Sequence, residues 1–172
     1  MENTLMPGEA MSGHLATEEQ PFHFTDSGLE NVYLVGVRYF TAEDGRVVAE
    51  IPAVNRLMRL IAKELVFSPS SLGGAEIRFL RKRLGMKTSD YCKVLRIDVA
   101  TLSRIENDKQ AASNQLDSLI RMSYLLLCKD AALETQTEAL KEFILAEVRR
   151  GPSKRVMKVS AGNEWSEVAE AA

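Results

Sequence analysis

The chain has 172 residues, of which 45% are apolar and 27% are charged, and its formal net charge is −2 at neutral pH. These proportions are close to those of globular proteins, and no apolar run approaches the roughly 18 residues that a membrane-spanning helix requires. The N-terminus lacks the basic start and the apolar stretch of a secretory signal. The two cysteines, Cys92 and Cys128, are far apart, so we expect a cytoplasmic protein in which both are buried small hydrophobes.

The first part of the sequence predicts a tail followed by a small module of two strands and a helix. Residues 1–21 have no apolar period and are expected to be disordered. Within residues 22–68, Asn31–Phe40 is rich in β-branched and aromatic residues, Asp44-Gly45 is a turn signal, and Arg46–Ile51 is the expected return strand. A helix is then expected from Pro52, with one apolar face formed by Val54, Leu57, Ile61 and Leu65. A module of this size is marginal for folding alone.

The segment Gly74–Lys109, within the region 69–129, has the clearest helical pattern. Its apolar residues recur at spacings of three and four, which predicts three short helices with one buried face each. These residues are Ile77, Leu80 and Leu84, then Tyr91, Val94 and Leu95, then Ile97, Leu102 and Ile105. Gly85 is placed to end the first helix and Asp98 to cap the third. Because helices this short must share a core, their order predicts a helix-turn-helix, closed by a fourth helix that ends near Leu127.

The charge is unevenly distributed along the chain. Between Gly74 and Lys109 there are nine Lys or Arg and five Asp or Glu, giving +4, so that the remaining residues carry −6. A basic module inside an acidic protein is the pattern expected for contact with phosphates. Taken alone, a cluster such as Arg81-Lys82-Arg83 is equally typical of a solvated surface.

The end of the third helix resembles the XRE family, the phage-repressor type of helix-turn-helix. The run Leu102-Ser103-Arg104-Ile105-Glu106-Asn107-Asp108-Lys109 is similar to that family's apolar-x-x-apolar-Glu-Asn-Gly-Lys ending. Three positions depart from the pattern: Thr88 stands where Gln commonly opens the second helix, Arg96 where the turn usually has Gly, and Asp108 where Gly follows the third helix. A positive φ would be strained at Arg96, whereas Asp tolerates it better.

This resemblance implies that the third helix enters the major groove of DNA. The side chains then expected at base edges are Val99, Ala100, Thr101 and Arg104, with Ser103 and Asn107 beside them. Valine and alanine can contact a thymine methyl group, threonine can donate or accept, and arginine can pair with guanine. Phosphate contacts are expected from Lys87, Thr88, Ser89 and Lys109. An acid would repel DNA, so we expect Glu106 to bond to the second helix or to pair with a nearby arginine.

A second resemblance joins the two regions. The segments Phe22–Leu34, Ile51-Pro52 and Gly74–Lys82 are similar to the MqsA/YgiT-type regulators, which join an N-terminal zinc module to an XRE-type domain. Several members are antitoxins that repress their own operon, which implies a toxin protein as a partner. That family binds zinc with two Cys-x-x-Cys pairs, and this chain has no cysteine before Cys92. We therefore expect no metal and no cofactor, with His23 as a partly buried packing residue.

Residues 130–172 are expected to contain a regular helix, Ala132–Arg150, and a tail. The helix has an apolar stripe formed by Leu133, Leu140, Phe143, Ile144 and Val148. This stripe either packs onto its own domain or forms a dimer face, and the XRE resemblance favours the dimer because such proteins act as two-fold pairs. Val156–Ser160 predicts a strand without indicating its neighbour.

The sequence therefore predicts a mainly α protein, with a small N-terminal β-hairpin/helix module and a five-helix XRE-type helix-turn-helix domain. The expected function is a DNA-binding transcriptional regulator, a repressor and in its narrower form an antitoxin, which binds double-stranded DNA as a homodimer. The alternative is a protein-interaction module that no longer reads DNA, which Thr88, Arg96 and the acidic total favour. An enzyme is not expected, because no phosphate-binding glycine loop, metal-ligand set or nucleophile–base pair is visible.

Overall fold

The computed structural model describes residues 13–42, 45–128, 155–160 and 162–167. The helices are α1 (Val54–Phe67), α2 (Gly74–Arg83), α3 (Thr88–Leu95), α4 (Val99–Glu106) and α5 (Asn114–Leu127). The strands are β1 (His14–Leu15), β2 (Phe22–His23), β3 (Val32–Val35), β4 (Arg38–Thr41), β5 (Val47–Glu50), β6 (Arg155–Val159) and β7 (Trp165–Glu167). The predicted helix Ala132–Arg150 lies outside the described residues. No helix within them is long and apolar enough to cross a membrane.

The prediction of a mainly α fold is wrong, because the protein is a mixed α/β structure with two sheets. One sheet has three strands in the order β1-β4-β5, and the other has four in the order β2-β3-β6-β7. The C-terminal strand β6 runs parallel to β3, with Val32 opposite Arg155 and Val35 opposite Lys158. The strand predicted at Val156–Ser160 is thereby confirmed. Its partner is more than 100 residues earlier, a pairing that no local sequence pattern contains.

The predicted single strand Asn31–Phe40 is divided between the two sheets at Gly36. Gly36 has a φ of 80°, and a Cβ atom there would lie 3.0 Å from the carbonyl oxygen of Val159. A side chain at this position would be strained by both the backbone conformation and the close approach. The chain therefore turns from β3 in one sheet to β4 in the other, and the predicted hairpin survives as β4 and β5.

Part of the segment expected to be a disordered tail is ordered. Within residues 13–21, β1 pairs with β4, with His14 opposite Tyr39. Ala16 is 2% exposed, and its backbone bonds to Val37 and Gly36, each at 2.9 Å. A strand of two residues carries little sequence signal, so β1 is ordered only by its pairing with β4.

One hydrophobic core crosses the predicted boundary at residue 68. Leu57, Ile61 and Leu65 of α1 are fully buried, and they belong to the same cluster as Leu80 of α2 and Met157 of β6. Each fully buried aliphatic side chain contributes about 1.5–3 kcal/mol. Val54, predicted on the buried face of α1, is instead 42% exposed.

The segment that connects α1 to α2 is fixed by a buried arginine. Arg121 of α5 is 1% exposed and donates hydrogen bonds to the carbonyl oxygens of Leu65, Val66, Ser68 and Ser70. Its Nε also bonds to Asp117 at 2.7 Å, and Asp117 accepts from the backbone N–H of Leu72 at 2.7 Å. The predicted linker Ser68–Gly73 is therefore held against α5.

Candidate nucleic-acid interface

The helices α2 to α5 contain the arrangement that the apolar spacing predicts. Tyr91 and Leu95 of α3 and Leu102 and Ile105 of α4 are between 0% and 3% exposed. Val94, predicted with them, is 37% exposed. Four other side chains of α4, those of Val99, Ala100, Ser103 and Arg104, are exposed on the opposite face of this short helix, which packs against α3.

The turn between α3 and α4 is formed by a residue in the left-handed region. Arg96 has a φ of 55°, and its backbone N–H bonds to the carbonyl oxygen of Cys92. The N–H of Ile97 bonds to the same oxygen at 3.2 Å. The conformation that would be strained at this position is thus the one that Arg96 adopts, and its side chain is exposed.

Asp98 caps the N-terminus of α4, as predicted. Its carboxylate accepts the backbone N–H of Thr101 at 2.8 Å and also the hydroxyl of Thr101. These hydrogen bonds hold the pKa of the Asp98 carboxyl below its usual range. The hydroxyl proton of Thr101 is therefore committed to the cap, which leaves its oxygen as an acceptor toward a base.

Four of the six side chains expected at or beside base edges lie on the open face of α4. Val99 is 51% exposed, and Ala100, Ser103 and Arg104 are also exposed. Arg104 makes no ion pair within the ranges that the structure describes. Its guanidinium is therefore free, within those ranges, to pair with a planar acceptor.

Asn107 is placed differently from the other predicted contacts. Its amide nitrogen donates to the carbonyl oxygen of Ser103 at 2.7 Å, and its amide oxygen accepts from Arg78 of α2 at 3.1 Å. Both ends of the amide are used to fasten the C-terminus of α4. The structure therefore gives Asn107 a positioning role in the free protein.

The residues expected to bind phosphates lie at the beginning of α3 and the end of α4. Lys87 and Ser89 are exposed, and Thr88 is half-buried. Lys87 precedes α3 without a side-chain cap, and no backbone hydrogen bond from Thr88 or Ser89 is found in the described residues. Lys109 follows α4 with its side chain exposed and its N–H bonded to the carbonyl oxygen of Arg104 at 2.8 Å.

Glu106 pairs with an arginine, one of the two alternatives that we expected. Its carboxylate accepts two hydrogen bonds from Arg81 of α2, from Nε at 2.6 Å and from Nη2 at 2.9 Å. Both side chains are buried, and Arg81 also donates to the carbonyl oxygen of Met86 at 2.9 Å. Glu106 thus lies on the buried side of α4 and fixes this helix to α2.

The sequence did not indicate a second connection between α2 and α4. A Cβ atom at Gly74 would lie 2.2 Å from the carbonyl oxygen of Ile105, so the first residue of α2 must be glycine. Asp108, at a φ of 54°, accepts the N–H of Gly74 at 2.8 Å. Where the XRE pattern has Gly, this chain therefore uses an aspartate that caps α2.

A buried hydrogen bond connects α3 to α5. The hydroxyl of Tyr91 lies 2.9 Å from that of Ser123, which donates to the carbonyl oxygen of Ile120 at 2.8 Å. Because the serine proton is used there, Tyr91 is the donor to Ser123. Burial raises the pKa of Tyr91 to about 12, so the hydroxyl keeps its proton at neutral pH.

The histidines and cysteines occupy separate places in the fold. His14 packs on Tyr39 with ring centroids 5.6 Å apart, and His23 stacks on Tyr33 at 4.8 Å. His23 is exposed, not partly buried as predicted, because it bonds to the carbonyl oxygen of Glu30 at the surface. Cys92 is buried and Cys128 half-buried. No group of three metal-ligand side chains occurs among the described residues.

No protein-family model, curated protein or solved structure shows a significant match to this chain.

Proposed function

We propose that this protein is a non-enzymatic, sequence-specific DNA-binding regulator that reads the major groove with α4. The observation that carries the proposal is the division of α4 into two faces. Leu102 and Ile105 are buried, while Arg104 and Val99 on the outer face are exposed. A helix whose outer face presents an arginine and small apolar side chains matches the chemistry of guanine and thymine edges.

The hydrogen bonds at both ends of α4 favour a role in reading DNA bases over that of a helix that only faces solvent. Asp98 fixes its first turn, and Arg81 with Glu106 and Arg78 with Asn107 fix its last. A helix held at both ends orients Arg104 without relying on DNA, which reduces the conformational entropy lost on binding.

Exposed cations lie near the ends of α3 and α4. Lys87 precedes α3, Arg96 lies in the turn, and Lys109 follows α4. Cations on both sides of a reading helix are suited to the phosphates that border a groove. Lys93 also lies on α3 but pairs with Asp90 at 3.0 Å, so part of its charge is already compensated.

The proposal includes a repressor role, in which the operator overlaps a promoter. The narrower proposal is an antitoxin that binds a toxin protein in addition to DNA. It is supported only by the resemblance of Phe22–Leu34 and Gly74–Lys82 to antitoxin-like regulators. Isolation of the chain with the product of a neighbouring gene would test this part separately.

The test is a gel shift with the protein's own upstream DNA at two salt concentrations. Binding to the specific site should weaken steeply with salt, because phosphate contacts release counterions. Arg104→Ala should lose about 1–3 kcal/mol of specific binding free energy and leave stability unchanged. Arg83→Ala is the matched control, since Arg83 is exposed on α2 and borders a groove with α1 and α5, away from the outer face of α4.

Two results would contradict the proposal. One is the absence of any salt-dependent binding to DNA, which would favour a protein-interaction module. The other is an equal loss of specific binding in Arg104→Ala and Arg83→Ala, since α4 would then have no special role. An unchanged footprint for Arg104→Ala would remove this residue from base reading.

A further inference from the structure

The two hydroxyl groups on α4 differ in their hydrogen bonding. The hydroxyl of Thr101 bonds to Oδ2 of Asp98, while Oδ1 of the same carboxylate accepts the backbone N–H of Thr101 at 2.8 Å. Thr101 is half-buried, and this carboxylate is the only partner of its hydroxyl among the described residues. The hydroxyl of Ser103 belongs to an exposed residue and makes no hydrogen bond within the same ranges. Only the hydroxyl of Thr101 is therefore held in one orientation.

The charge of Asp98 fixes the direction of this hydrogen bond. The bonds from the Thr101 side chain and backbone hold the pKa of the Asp98 carboxyl below its usual range, so the group is ionised at neutral pH. An ionised carboxylate only accepts, so the Thr101 hydroxyl must donate its single proton to it. The hydroxyl oxygen keeps its remaining lone pairs and is an acceptor toward any further partner.

A fixed acceptor can distinguish the two orientations of a base pair. Each base pair presents one amino group in the major groove, N6 of adenine or N4 of cytosine, and its other polar atoms there are acceptors. An acceptor on the protein therefore bonds to A or C on the strand that it faces. Guanine and thymine on that strand present only oxygen or nitrogen lone pairs, which repel it.

We infer that Asp98 sets a base preference of α4 through Thr101, an inference that rests on the proposed reading of DNA by this helix. Thr101 accepts a hydrogen bond from the amino group of adenine or cytosine on one strand. Asp98 is a positioning residue, because it holds the Thr101 proton away from the DNA and does not itself contact the base. Guanine and thymine are disfavoured at this position.

Arg104 complements this acceptor on the same helix. Its guanidinium only donates, which suits N7 and O6 of guanine. Thr101 and Arg104 are three residues apart, about 4.5 Å along the helix axis, and successive bases are about 3.4 Å apart along a strand. The acceptor and the donor therefore reach the same or neighbouring base pairs, so that the preferred site has A or C close to the guanine of Arg104.

Asp98→Asn tests the direction of the hydrogen bond without altering the shape of the cap. Asparagine is as good an N-cap as aspartate, and its amide oxygen should keep the N–H of Thr101. The amide nitrogen then takes the place of Oδ2 and donates to the Thr101 hydroxyl, whose own proton turns outward. Thr101 becomes a donor to DNA, so the preference should invert from A or C to G or T at that one position.

The measurement is selection by the full-length protein from duplexes with a randomised segment, followed by competition between duplexes that differ at one base pair. The unaltered chain should favour A or C by roughly tenfold at one position, within about two base pairs of the guanine whose preference is lost in Arg104→Ala. Asp98→Asn should favour G or T there by a similar factor. Thr101→Val, which removes the oxygen but keeps the size, should lose the preference for an amino group.

Asp90→Asn is the matched control for the loss of a negative charge. Asp90 is an exposed acid on α3 that bonds to Lys93 at 3.0 Å and makes no contact with Thr101. This variant should change the affinity for all duplexes alike and leave the preference at every position unaltered. A charge effect and an effect on the Thr101 proton are thereby separated, since only Asp98→Asn should invert one position.

The outcomes distinguish this inference from the proposed function. If the unaltered chain selects no sequence, the proposed function and this inference both fail. If it selects a site at which Asp98→Asn and the unaltered chain have the same preferences, DNA reading stands and Asp98 is only a helix cap. A preference for A or C that persists in Thr101→Val would likewise overturn the inference alone.

Discussion

At the scale of single residues, Arg96 combines backbone strain with an exposed charge. A left-handed conformation costs a residue with a Cβ atom roughly 1–2 kcal/mol. The Arg96 side chain is exposed and forms no ion pair in the part of the chain that the structure describes. The fold would therefore favour glycine here, while a phosphate-binding surface favours arginine.

If the protein binds DNA as proposed, this conflict predicts opposite effects of Arg96→Gly on stability and on DNA binding. The free energy of unfolding should rise by about 0.5–1 kcal/mol, because relief of strain exceeds the added entropy of the unfolded chain. The salt dependence of DNA binding should fall by about one phosphate contact. Urea unfolding and salt titration of the complex measure the two effects.

Asp108→Gly is the control for that prediction, because Asp108 also has a positive φ of 54°. Its replacement relieves strain but removes the hydrogen bond to the N–H of Gly74. Its stability should therefore increase less than that of Arg96→Gly. A loss of stability in Arg96→Gly would show that the arginine side chain stabilises the turn.

At the scale of elements, the contact between α2 and α4 contains one buried ion pair. Glu106 and Arg81 have side chains that are 7% and 10% exposed. Removing one partner leaves an uncompensated charge, whereas replacing both by apolar groups restores packing. The pair thus fixes the orientation of α4 more than it adds to total stability.

We predict that Glu106→Ala lowers the free energy of unfolding by about 3–5 kcal/mol. The double variant Arg81→Met/Glu106→Leu should recover most of this loss, because neither charge remains in the interior. Denaturant unfolding of the two variants measures the difference. Equal destabilisation of the single and double variants would show that packing, not the unpaired guanidinium, accounts for the cost.

At the scale of the whole molecule, Arg121 of α5 joins the N-terminal region to the helices α2 to α5. It satisfies carbonyl oxygens at the end of α1 and in the following segment, while Asp117 compensates its charge. This buried side chain and the shared hydrophobic core make the two predicted modules one structural unit.

We predict that Arg121→Met lowers the free energy of unfolding by about 3–5 kcal/mol, since it leaves Asp117 buried without its partner. Cleavage within Ser68–Gly73 by a nonspecific protease should become faster, because the segment loses its hydrogen bonds from Arg121. Lys63→Met is the matched control, as Lys63 is an exposed cation on α1. Unchanged cleavage in Arg121→Met would contradict the anchoring role.

The sequence by itself determined the local parts of the candidate site. The apolar spacing predicted α2, α3 and α4, Gly85 marked the end of α2, and Asp98 marked the beginning of α4. These features depend on residues within one or two turns of each other, so a linear pattern contains them. The exposure of Arg104 follows from the same pattern, since Leu102 and Ile105 must face inward.

Only the tertiary structure decided how the strands pair into two sheets and which residues of other helices hold the end of α4. The pairing of β3 with β6 joins residues more than 100 positions apart, and the strands that pair are too short to be recognised alone. The bonds of Asn107 to Arg78 and of Asp108 to Gly74 likewise join different helices. Such contacts depend on which surfaces pack together in the folded chain. The free energy of this packing comes from residues that are distant in sequence, so a local sequence pattern does not contain it.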